Sequence, residues 1–598
     1  MKYLIENIQG VVHFLSRIKR SSVNVLLSHF VILFGLIPAL NFLTHRILSF
    51  GGINYLSSDN ILALARTHSF VFIGLFLLLA LIVLLAFFEY SFLLLSVYYI
   101  YLDTTLTLAQ LLKMSFFQLK KLRPTSFLFF LPYFIILLPI IGFNYRSNLL
   151  SKIKIPAFVM DYIFTNRVTI IALAVIVYLI LLYFSLSLSF VLPRMILTKA
   201  RLRDAIRYSW RITRRRLWYF IGKFIIFAGC LFLLIAGATA ALLFFQQTIE
   251  HYWNAAALAS AIVIMALLQL LFIINLIGST TLIFFIGIDF LARHAELPQL
   301  KVPHFSTDQK FTWLTSRKTL TILLVLFLGG LFTYNHHFLT AEDARRPYVI
   351  SHRGVSHGNG VQNSIPALIK TAQLHPDYVE IDIQQTKDKQ FVVMHDPDLK
   401  TLTGVDRRPQ ELTLSELTKL TQHENGYTAP VASFDEYLKA AKNLQQKLLI
   451  EIKTSTLDAP GLVNDFLQKY QGEIESQHYE LQSLDYQLVE KIKKKAPALV
   501  VGYIMPFNIV GPPVSSADFL TMEYSTINGD FIDAARNDHK KVYVWTVNSA
   551  DAVSRMRFYG TDAIITDEVA LTHKTLERDS KMRYHYADKL LYFTIGIG

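Results

Sequence analysis

Residues 378–396 read YVEIDIQQTKDKQFVVMHD, and this stretch decides the fold class of the second half of the chain. Apolar and polar residues alternate along Tyr378–Ile383, which is typical of a β-strand. Side chains two apart on a strand point to the same side, so Glu380 and Asp382 share one face, a spacing that suits one hard cation. A second extended run ends in His395-Asp396. The stretch therefore predicts two strands that carry polar groups toward a site.

The same alternation of short apolar runs and amphipathic stretches continues on both sides of this segment. About 250 residues of repeated βα units is the size of a TIM barrel, so an α/β (β/α)8 barrel is predicted for residues 341–580. Besides Tyr378–Ile383, strands are expected at Tyr348–Ser351, Phe391–Met394, Lys447–Ile452, Glu480–Ser483, Val500–Ile504, Phe519–Glu523, Val542–Val547 and Ala563–Thr566. Helices are expected at Ile365–Leu374, Ser433–Asn443, Gly461–Tyr470, Tyr486–Lys495, Phe531–Asn537 and Ala550–Phe558.

Polar side chains interrupt these strands near their C-terminal ends, where the chemistry of this fold collects. Strand one ends in His352-Arg353-Gly354, and Glu451 shares a strand face with Lys453. The weaker candidates are Ser483, Glu523 and Trp545. Each residue alone has a structural explanation, such as a hydrogen-bonded histidine or the solvated face of an edge strand. Two histidines, three carboxylates, an arginine and a lysine together indicate an active site, because barrel interiors normally carry Val, Ile and Leu.

Seven short motifs follow one another along this half of the chain. They are His352-Arg353-Gly354, Gln362-Asn363-Ser364, Glu380-Ile381-Asp382, His395-Asp396, Glu451-Ile452-Lys453, Trp545-Thr546-Val547-Asn548 and Thr566-Asp567. In this order they resemble the glycerophosphodiester phosphodiesterases, over about residues 347–575. Most soluble members carry Glu where this chain has Gln362, which weakens any assignment of that position as a metal ligand. The preceding region resembles the membrane domain fused to such enzymes in some bacteria.

The resemblance and the residue types together imply a metal-dependent hydrolase. Three carboxylates, Glu380, Asp382 and Glu451, favour Ca²⁺ or Mg²⁺ over Zn²⁺ as the single divalent cation. Arg353 and Lys453 would neutralise charge on the phosphoryl oxygens. His352 and His395 would serve as general acid and base, and either assignment is open. Trp545 would form an apolar wall for the substrate or serve as a buried barrel residue.

The first 340 residues have a different composition from the rest. They hold 29 Lys+Arg against 10 Asp+Glu, whereas residues 341–598 hold 29 against 34. The chain as a whole is only 17% charged and 53% hydrophobic. Nucleic-acid binding is not expected, because the basic residues lie between apolar segments and not on one soluble face. Cys230 is the one cysteine, so neither an internal disulfide nor a Cys-rich zinc site can form.

A polytopic transmembrane domain is therefore predicted for residues 1–340. A spanning helix needs about 20 mostly apolar residues. Seven segments qualify, namely 23–44, 69–90, 125–145, 168–192, 217–246, 254–278 and 319–339. The Lys and Arg distribution places the N-terminus inside and, after seven spans, the catalytic domain on the extracytoplasmic side of the cell membrane. Residues 1–20 are expected to form an interfacial helix rather than a cleaved signal.

Several charged positions in this domain have two interpretations. The run from Arg201 to Arg216 is an orientation signal or a site for anionic lipid headgroups. Glu89 and Lys223, within apolar runs, are functional candidates or packing partners. The tail, 581–598, is too short to cross lipid and is expected to dock on the bilayer or on the barrel.

Three functions stay open at this point. The leading one is hydrolysis of a glycerophosphodiester, free, derived from lipid headgroups, or part of a polyglycerophosphate such as lipoteichoic acid. The second is a phospholipase D type activity on membrane lipids. The third is a non-catalytic lipid-binding or lipid-transport module. Membrane lipids are expected partners in each case, and no feature of the sequence indicates an oligomeric state.

Overall fold

The computed structural model describes residues 23–53, 61–104, 106–122, 168–198, 200–294, 297, 300, 317–340, 346–506, 511–527, 529–581 and 586–597. The predicted span at 125–145 and the predicted interfacial helix at 1–20 lie outside the described residues. The chain divides into two compact units, and the change falls after Thr340.

The first unit consists of helices in its described part. Five of them are long and apolar enough to cross a membrane. These are Val23–Phe50, Ser69–Tyr101, Val175–Leu197, Leu217–Tyr252 and Asn254–His294. A further helix, Arg317–Thr340, covers the predicted segment 319–339, and shorter helices are Ile61–Thr67, Leu108–Leu119 and Leu202–Arg214. Ser69–Tyr101 and Asn254–His294 each continue well past the predicted segments 69–90 and 254–278.

Lys223 has a buried partner within this unit. Its ammonium group pairs with the Asp289 carboxylate, and both residues are almost fully buried. Asp289 also accepts hydrogen bonds from the Tyr101 hydroxyl at 3.2 Å and from Arg293 Nε at 2.9 Å. Three long helices therefore meet at one ionic group, which agrees with the packing interpretation of Lys223. Glu89 is buried as well.

The second unit is a closed parallel barrel. Its strands are β1 (Tyr348–Ser351), β2 (Tyr378–Gln385), β3 (Phe391–Val393), β4 (Thr421–Glu424), β5 (Tyr427–Pro430), β6 (Leu448–Ile452), β7 (Glu480–Ser483), β8 (Val501–Met505), β9 (Phe519–Glu523), β10 (Lys541–Trp545) and β11 (Ala563–Thr566). Eight described strands pair in parallel in the order β1-β11-β10-β9-β8-β7-β6-β2, and β1 pairs with β2 to close the ring. The predicted TIM barrel is confirmed.

Helices follow most of these strands and cover the outside of the barrel. They are Ile365–Ala372, Phe434–Asn443, Leu462–Gln477, Tyr486–Lys495, Gly529–Asn537, Ala550–Tyr559 and Val569–Lys581. Serine or threonine side chains cap several of them; Ser364, for example, accepts from the Ala367 N–H. The tail forms helix Tyr586–Ile597, whose Tyr592 ring lies 5.3 Å from Phe558 of the barrel's outer layer. In this unit the tail thus docks on the barrel.

The barrel interior changes from apolar to charged along the strand direction. Its lower part is a cluster of Ile350, Tyr378, Leu449, Phe519, Tyr543, Ala563 and Ile565. Side chains two and four residues further on the same strands share that inward face. On β2 these are Glu380 and Asp382, and on β6 the next is Glu451. The apolar layer therefore supports a charged layer at the C-terminal ends of the strands.

Gly502 of β8 lies in the closely packed lower layer, so a larger residue at this position should destabilise the barrel. A Cβ at this position would overlap the ring of Phe519, which is itself stacked on Tyr543 at 4.1 Å. We expect Gly502→Ala to destabilise the barrel by about 1–3 kcal/mol through overpacking. The measurement is the thermal unfolding midpoint of the detergent-solubilised chain. The control, Gly472→Ala, lies on an exposed helix face with open space and should keep or raise the midpoint; equal midpoints for both variants would contradict this packing.

Candidate active site

Three carboxylates converge at the charged end of the barrel. Asp382 on β2 is paired in register with Glu451 on β6, and Glu380 lies one inward position below Asp382. One oxygen of each residue lies within 4.8 Å of one oxygen of each of the other two. All three residues are buried. The structure thus brings together the three predicted metal ligands.

Three groups hold these carboxylates in place. The backbone N–H of Arg353 donates to Glu380 Oε2 at 2.8 Å. Asn363 Nδ2 donates to Asp382 Oδ2 at 2.9 Å, while Asn363 Oδ1 accepts from the Asp382 N–H. Lys453 Nζ lies 3.0 Å from Asp382 Oδ1 and 2.7 Å from Glu451 Oε1. These contacts leave the side chains of Glu380, Asp382 and Glu451 little conformational freedom.

The loop that supplies two of these groups has an uncommon backbone. Arg353 and Asn363 both adopt positive φ, +52° and +58°, which costs free energy for a residue with a side chain. Gly354 follows at φ +67°, and a Cβ there would lie 2.7 Å from the Tyr437 hydroxyl. Surrounding contacts stabilise this loop conformation, which aims the Arg353 N–H and the Asn363 amide at the carboxylates.

The surroundings shift the pKa values of Glu380 and Asp382 in opposite directions. Burial, followed by repulsion from Asp382 and Glu451, raises the pKa of Glu380 well above its usual range. Burial also opposes ionisation of Asp382, but Lys453 and the other nearby basic groups outweigh it and hold its pKa low. The site is short of positive charge, and its donors are all carboxylate oxygens. Both properties fit a hard divalent cation held by Glu380, Asp382 and Glu451.

His352 is oriented by an acidic residue at the end of the neighbouring strand. Its Nδ1 donates to Asp567 Oδ1 at 2.8 Å, since a carboxylate only accepts. Asn548 Nδ2 donates to the other oxygen of Asp567 at 2.8 Å. Burial would raise the pKa of Asp567, but the hydrogen bond from His352 lowers it on balance. This arrangement leaves Nε2 as the atom of His352 that can exchange a proton.

His395 has a similar partner and a second contact. Its Nδ1 lies 2.9 Å from Asp396 Oδ1, and its Nε2 lies 2.7 Å from Arg353 Nη2. Arginine only donates, so Nε2 accepts and the ring proton lies on Nδ1, where it is donated to Asp396. Gln384 fixes the loop by donating to the carbonyl oxygens of Met394, His395 and Asp396.

The three weaker candidates have other contacts. The Ser483 hydroxyl donates to the Ile452 carbonyl at 2.7 Å, and alternation along β7 places it on the outer face of the strand. The Glu523 carboxylate accepts from the Ser525 hydroxyl at 2.6 Å. Trp545, paired in register with Glu523, packs against the lower apolar cluster. Substrate contacts of these three residues stay predictions.

Several residues with positioning contacts were not among the predicted site residues, and Asp567 and Glu424 are two of them. Asp567 stands in the Thr566-Asp567 motif at the end of the last strand, and its adjacency to β1 was the available signal. Glu424 belongs to the β4–β5 hairpin and accepts two hydrogen bonds from Gln362. No strand-end pattern points to Glu424, because the hairpin lies outside the barrel ring.

Comparisons with known proteins cover both units. A family model described as the membrane domain of glycerophosphoryl diester phosphodiesterase matches residues 8–329, and one described as the glycerophosphoryl diester phosphodiesterase family matches residues 352–571. A glycerophosphodiester phosphodiesterase of Caldanaerobacter subterraneus subsp. tengcongensis is 27% identical over 231 residues, which are 37% of this chain and 93% of that protein.

Two further relatives show the range of similarity. Lysophospholipase D GDPD1 of Homo sapiens is 40% identical over 68 residues, 11% of this chain and 21% of that protein. A solved phosphodiesterase of Oleispira antarctica, in complex with the product sn-glycerol-3-phosphate, has 21% identity and a TM-score of 0.34. The match covers 39% of this chain and 97% of the solved chain.

The contacts of Asn363 lead to a prediction on cation binding. Asn363→Ala removes both hydrogen bonds between Asn363 and Asp382, and loss of such a supporting group weakens metal binding by about 10–100-fold. Divalent cation should raise the unfolding midpoint of the full chain, and the variant should need correspondingly more Ca²⁺ or Mg²⁺ for the same rise. Asn359→Ala is the control, because Asn359 bonds only Ser356, Thr371 and Lys370 among described residues. Equal cation dependence in the two variants would refute the role of Asn363.

Proposed function

Because the chain belongs to the glycerophosphoryl diester phosphodiesterases that carry a membrane domain, we propose that its barrel releases glycerol 3-phosphate by metal-assisted histidine catalysis at the membrane surface. The observation that carries this proposal is the buried group of Glu380, Asp382 and Glu451 beside two histidines with carboxylate partners. A bound cation would supply a Lewis acid for a phosphodiester oxygen and for a nearby hydroxyl. Ca²⁺ and Mg²⁺ both fit the donor set.

Each polar residue then has a defined task. Arg353 and Lys453 face the carboxylates with cationic groups that can also contact phosphoryl oxygens as charge develops on them. One imidazole takes the proton of the substrate's 2-hydroxyl as that oxygen bonds to phosphorus. The other protonates the oxygen of the departing alcohol as its bond to phosphorus breaks. Water then opens the cyclic phosphate to give glycerol 3-phosphate.

The histidine roles give a direct test with a matched control. His352→Ala and His395→Ala should each lower the rate by about 10²–10⁴-fold, as expected for general acid or base groups. His357→Ala is the control, since this exposed histidine follows His352 in the same loop but contacts Glu568 instead of a proposed metal ligand. The assay follows glycerol 3-phosphate release by the purified full chain with Ca²⁺ or Mg²⁺. Wild-type rates in both histidine variants would contradict these roles, and no release by the wild type itself would favour a non-catalytic lipid-binding module.

The substrate class is tested with a panel of compounds, because two candidate substrate classes have support. The membrane domain favours a substrate held at the bilayer, either a headgroup-derived glycerophosphodiester or a glycerophosphate polymer. The local similarity to a lysophospholipase D favours, as a second candidate, cleavage of a lysolipid with release of its headgroup alcohol. Glycerophosphocholine, a polyglycerophosphate and lysophosphatidylcholine separate these, because only the lysolipid gives a lipid phosphate as product.

Membrane lipids are proposed partners of the first unit as well. Helix Leu202–Arg214 buries Ala205, Ser209 and Thr213, and its Ser209 hydroxyl donates to the Ser187 carbonyl at 2.7 Å. The opposite face presents exposed arginines, namely Arg203, Arg207, Arg211 and Arg214. A basic stripe on a helix that is hydrogen-bonded to a membrane helix suits the anionic surface of the cytoplasmic leaflet.

We also expect a multi-pass topology with the barrel outside the cell. The Lys and Arg distribution supports it, and cysteine labelling tests it in a Cys230→Ser background. Lys442→Cys, on an exposed barrel helix, should react with a membrane-impermeant maleimide in intact cells. Arg215→Cys, in the basic segment, should react only after permeabilisation. The reverse pattern would place the barrel in the cytoplasm.

A further inference from the structure

The β4–β5 hairpin is an addition to the barrel that reaches the active-site loop. Asn425 and Gly426 form its turn with positive φ at both positions, +53° and +77°. Asn425 Nδ2 donates to the Gly360 carbonyl at 3.1 Å, and Lys370 Nζ lies 4.0 Å from the centre of the Tyr427 ring. These contacts attach the hairpin to the segment that follows His352-Arg353-Gly354.

The last residue of β4, Glu424, begins a line of hydrogen bonds that ends at His395. Glu424 Oε2 accepts from the Gln362 N–H at 2.7 Å, and Glu424 Oε1 accepts from Gln362 Nε2 at 2.8 Å. Gln362 Oε1 accepts from Arg353 Nη1 at 2.8 Å. Arg353 Nη2 donates to His395 Nε2 at 2.7 Å. Gln362 is buried, so its amide depends on these partners.

The chemistry of the three groups allows one order of donors and acceptors. A guanidinium only donates and a carboxylate only accepts, whereas an amide does both. Gln362 therefore connects Arg353 to Glu424 by presenting its oxygen to one and its nitrogen to the other. A carboxylate at position 362 would keep the contact with Arg353 but would face the Glu424 carboxylate directly.

We propose that Glu424 is a positioning residue, which acts through Gln362 to hold the Arg353 guanidinium beside His395 Nε2. The two-point contact of Glu424 fixes the orientation of the Gln362 amide, and the amide oxygen fixes one nitrogen of Arg353. Arg353 then presents its second nitrogen at the place where the proton-transferring atom of His395 meets the phosphoryl group. The hairpin thus supplies the outermost support of the active site. This inference rests on the proposed function, because it assigns Arg353 a contact with phosphate.

Exchange of the two side chains tests the proposal. Gln362→Glu alone places two carboxylates in contact and should lower kcat/KM by about 10–100-fold, the usual effect of disturbing a supporting partner. Glu424→Gln alone should lower kcat/KM by a smaller factor, with an unchanged unfolding midpoint. The double variant, Gln362→Glu with Glu424→Gln, restores one carboxylate and one amide and should recover to within about threefold of wild type. Glu416→Gln, whose carboxylate caps the short helix Leu414–Leu417 and accepts from the Thr413 N–H, is the control.

The outcomes separate this inference from the proposed function. Losses that add in the double variant, or an unchanged kcat/KM in Glu424→Gln, would overturn the role of Glu424 while leaving the activity of the wild type intact. An inactive wild type would overturn the proposed function itself. Unfolding midpoints of all variants are compared, so Glu424→Gln decides the question if Gln362→Glu does not fold.

Discussion

Three buried carboxylates with oxygens within 4.8 Å of one another are the constraint on which the active site depends. Burying a charge without a partner costs several kcal/mol, and like charges in contact add repulsion. Three groups of the barrel offset this cost. Lys453 contacts both Asp382 and Glu451, the Arg353 N–H donates to Glu380, and the Asn363 amide donates to Asp382. The pKa of Glu380 is nevertheless raised well above its usual range, so the protein's own groups do not fully balance the site. The proposed divalent cation would supply the missing charge.

The rest of the barrel makes this arrangement possible. Aromatic and aliphatic side chains form most of the lower interior, where the Tyr378 and Tyr543 hydroxyls also donate to the buried Glu480 carboxylate. Charged side chains then stand one and two inward positions higher on the same strands. Two histidines lie around them, each with Nδ1 bound by an aspartate and Nε2 directed elsewhere. An apolar support beneath a charged layer is how a TIM barrel carries chemistry without losing its core.

Particular residues show how far the sequence predicts this structure. Alternation along Tyr378–Ile383 predicted both the strand and the shared face of Glu380 and Asp382, because a strand has a fixed period. The β4–β5 hairpin was not predicted, although its Asn425-Gly426 turn is a recognised signal, because the flanking strands lack strong apolar alternation. Asp289 was not predicted as the partner of Lys223, because it lies beyond the predicted segment 254–278 in a helix that continues to His294. Contacts between residues distant in sequence, such as Glu424 with Gln362, have no local pattern.

The central claim is that one cation lies among Glu380, Asp382 and Glu451. Anomalous diffraction from crystals of the full chain grown with Mn²⁺, which favours the same oxygen donors as Mg²⁺ and Ca²⁺, tests it most directly. The account predicts a single strong peak at coordination distance, about 2.0–2.6 Å, from oxygens of all three carboxylates. A peak at other residues, or no peak in crystals of protein that Mn²⁺ activates, would contradict it.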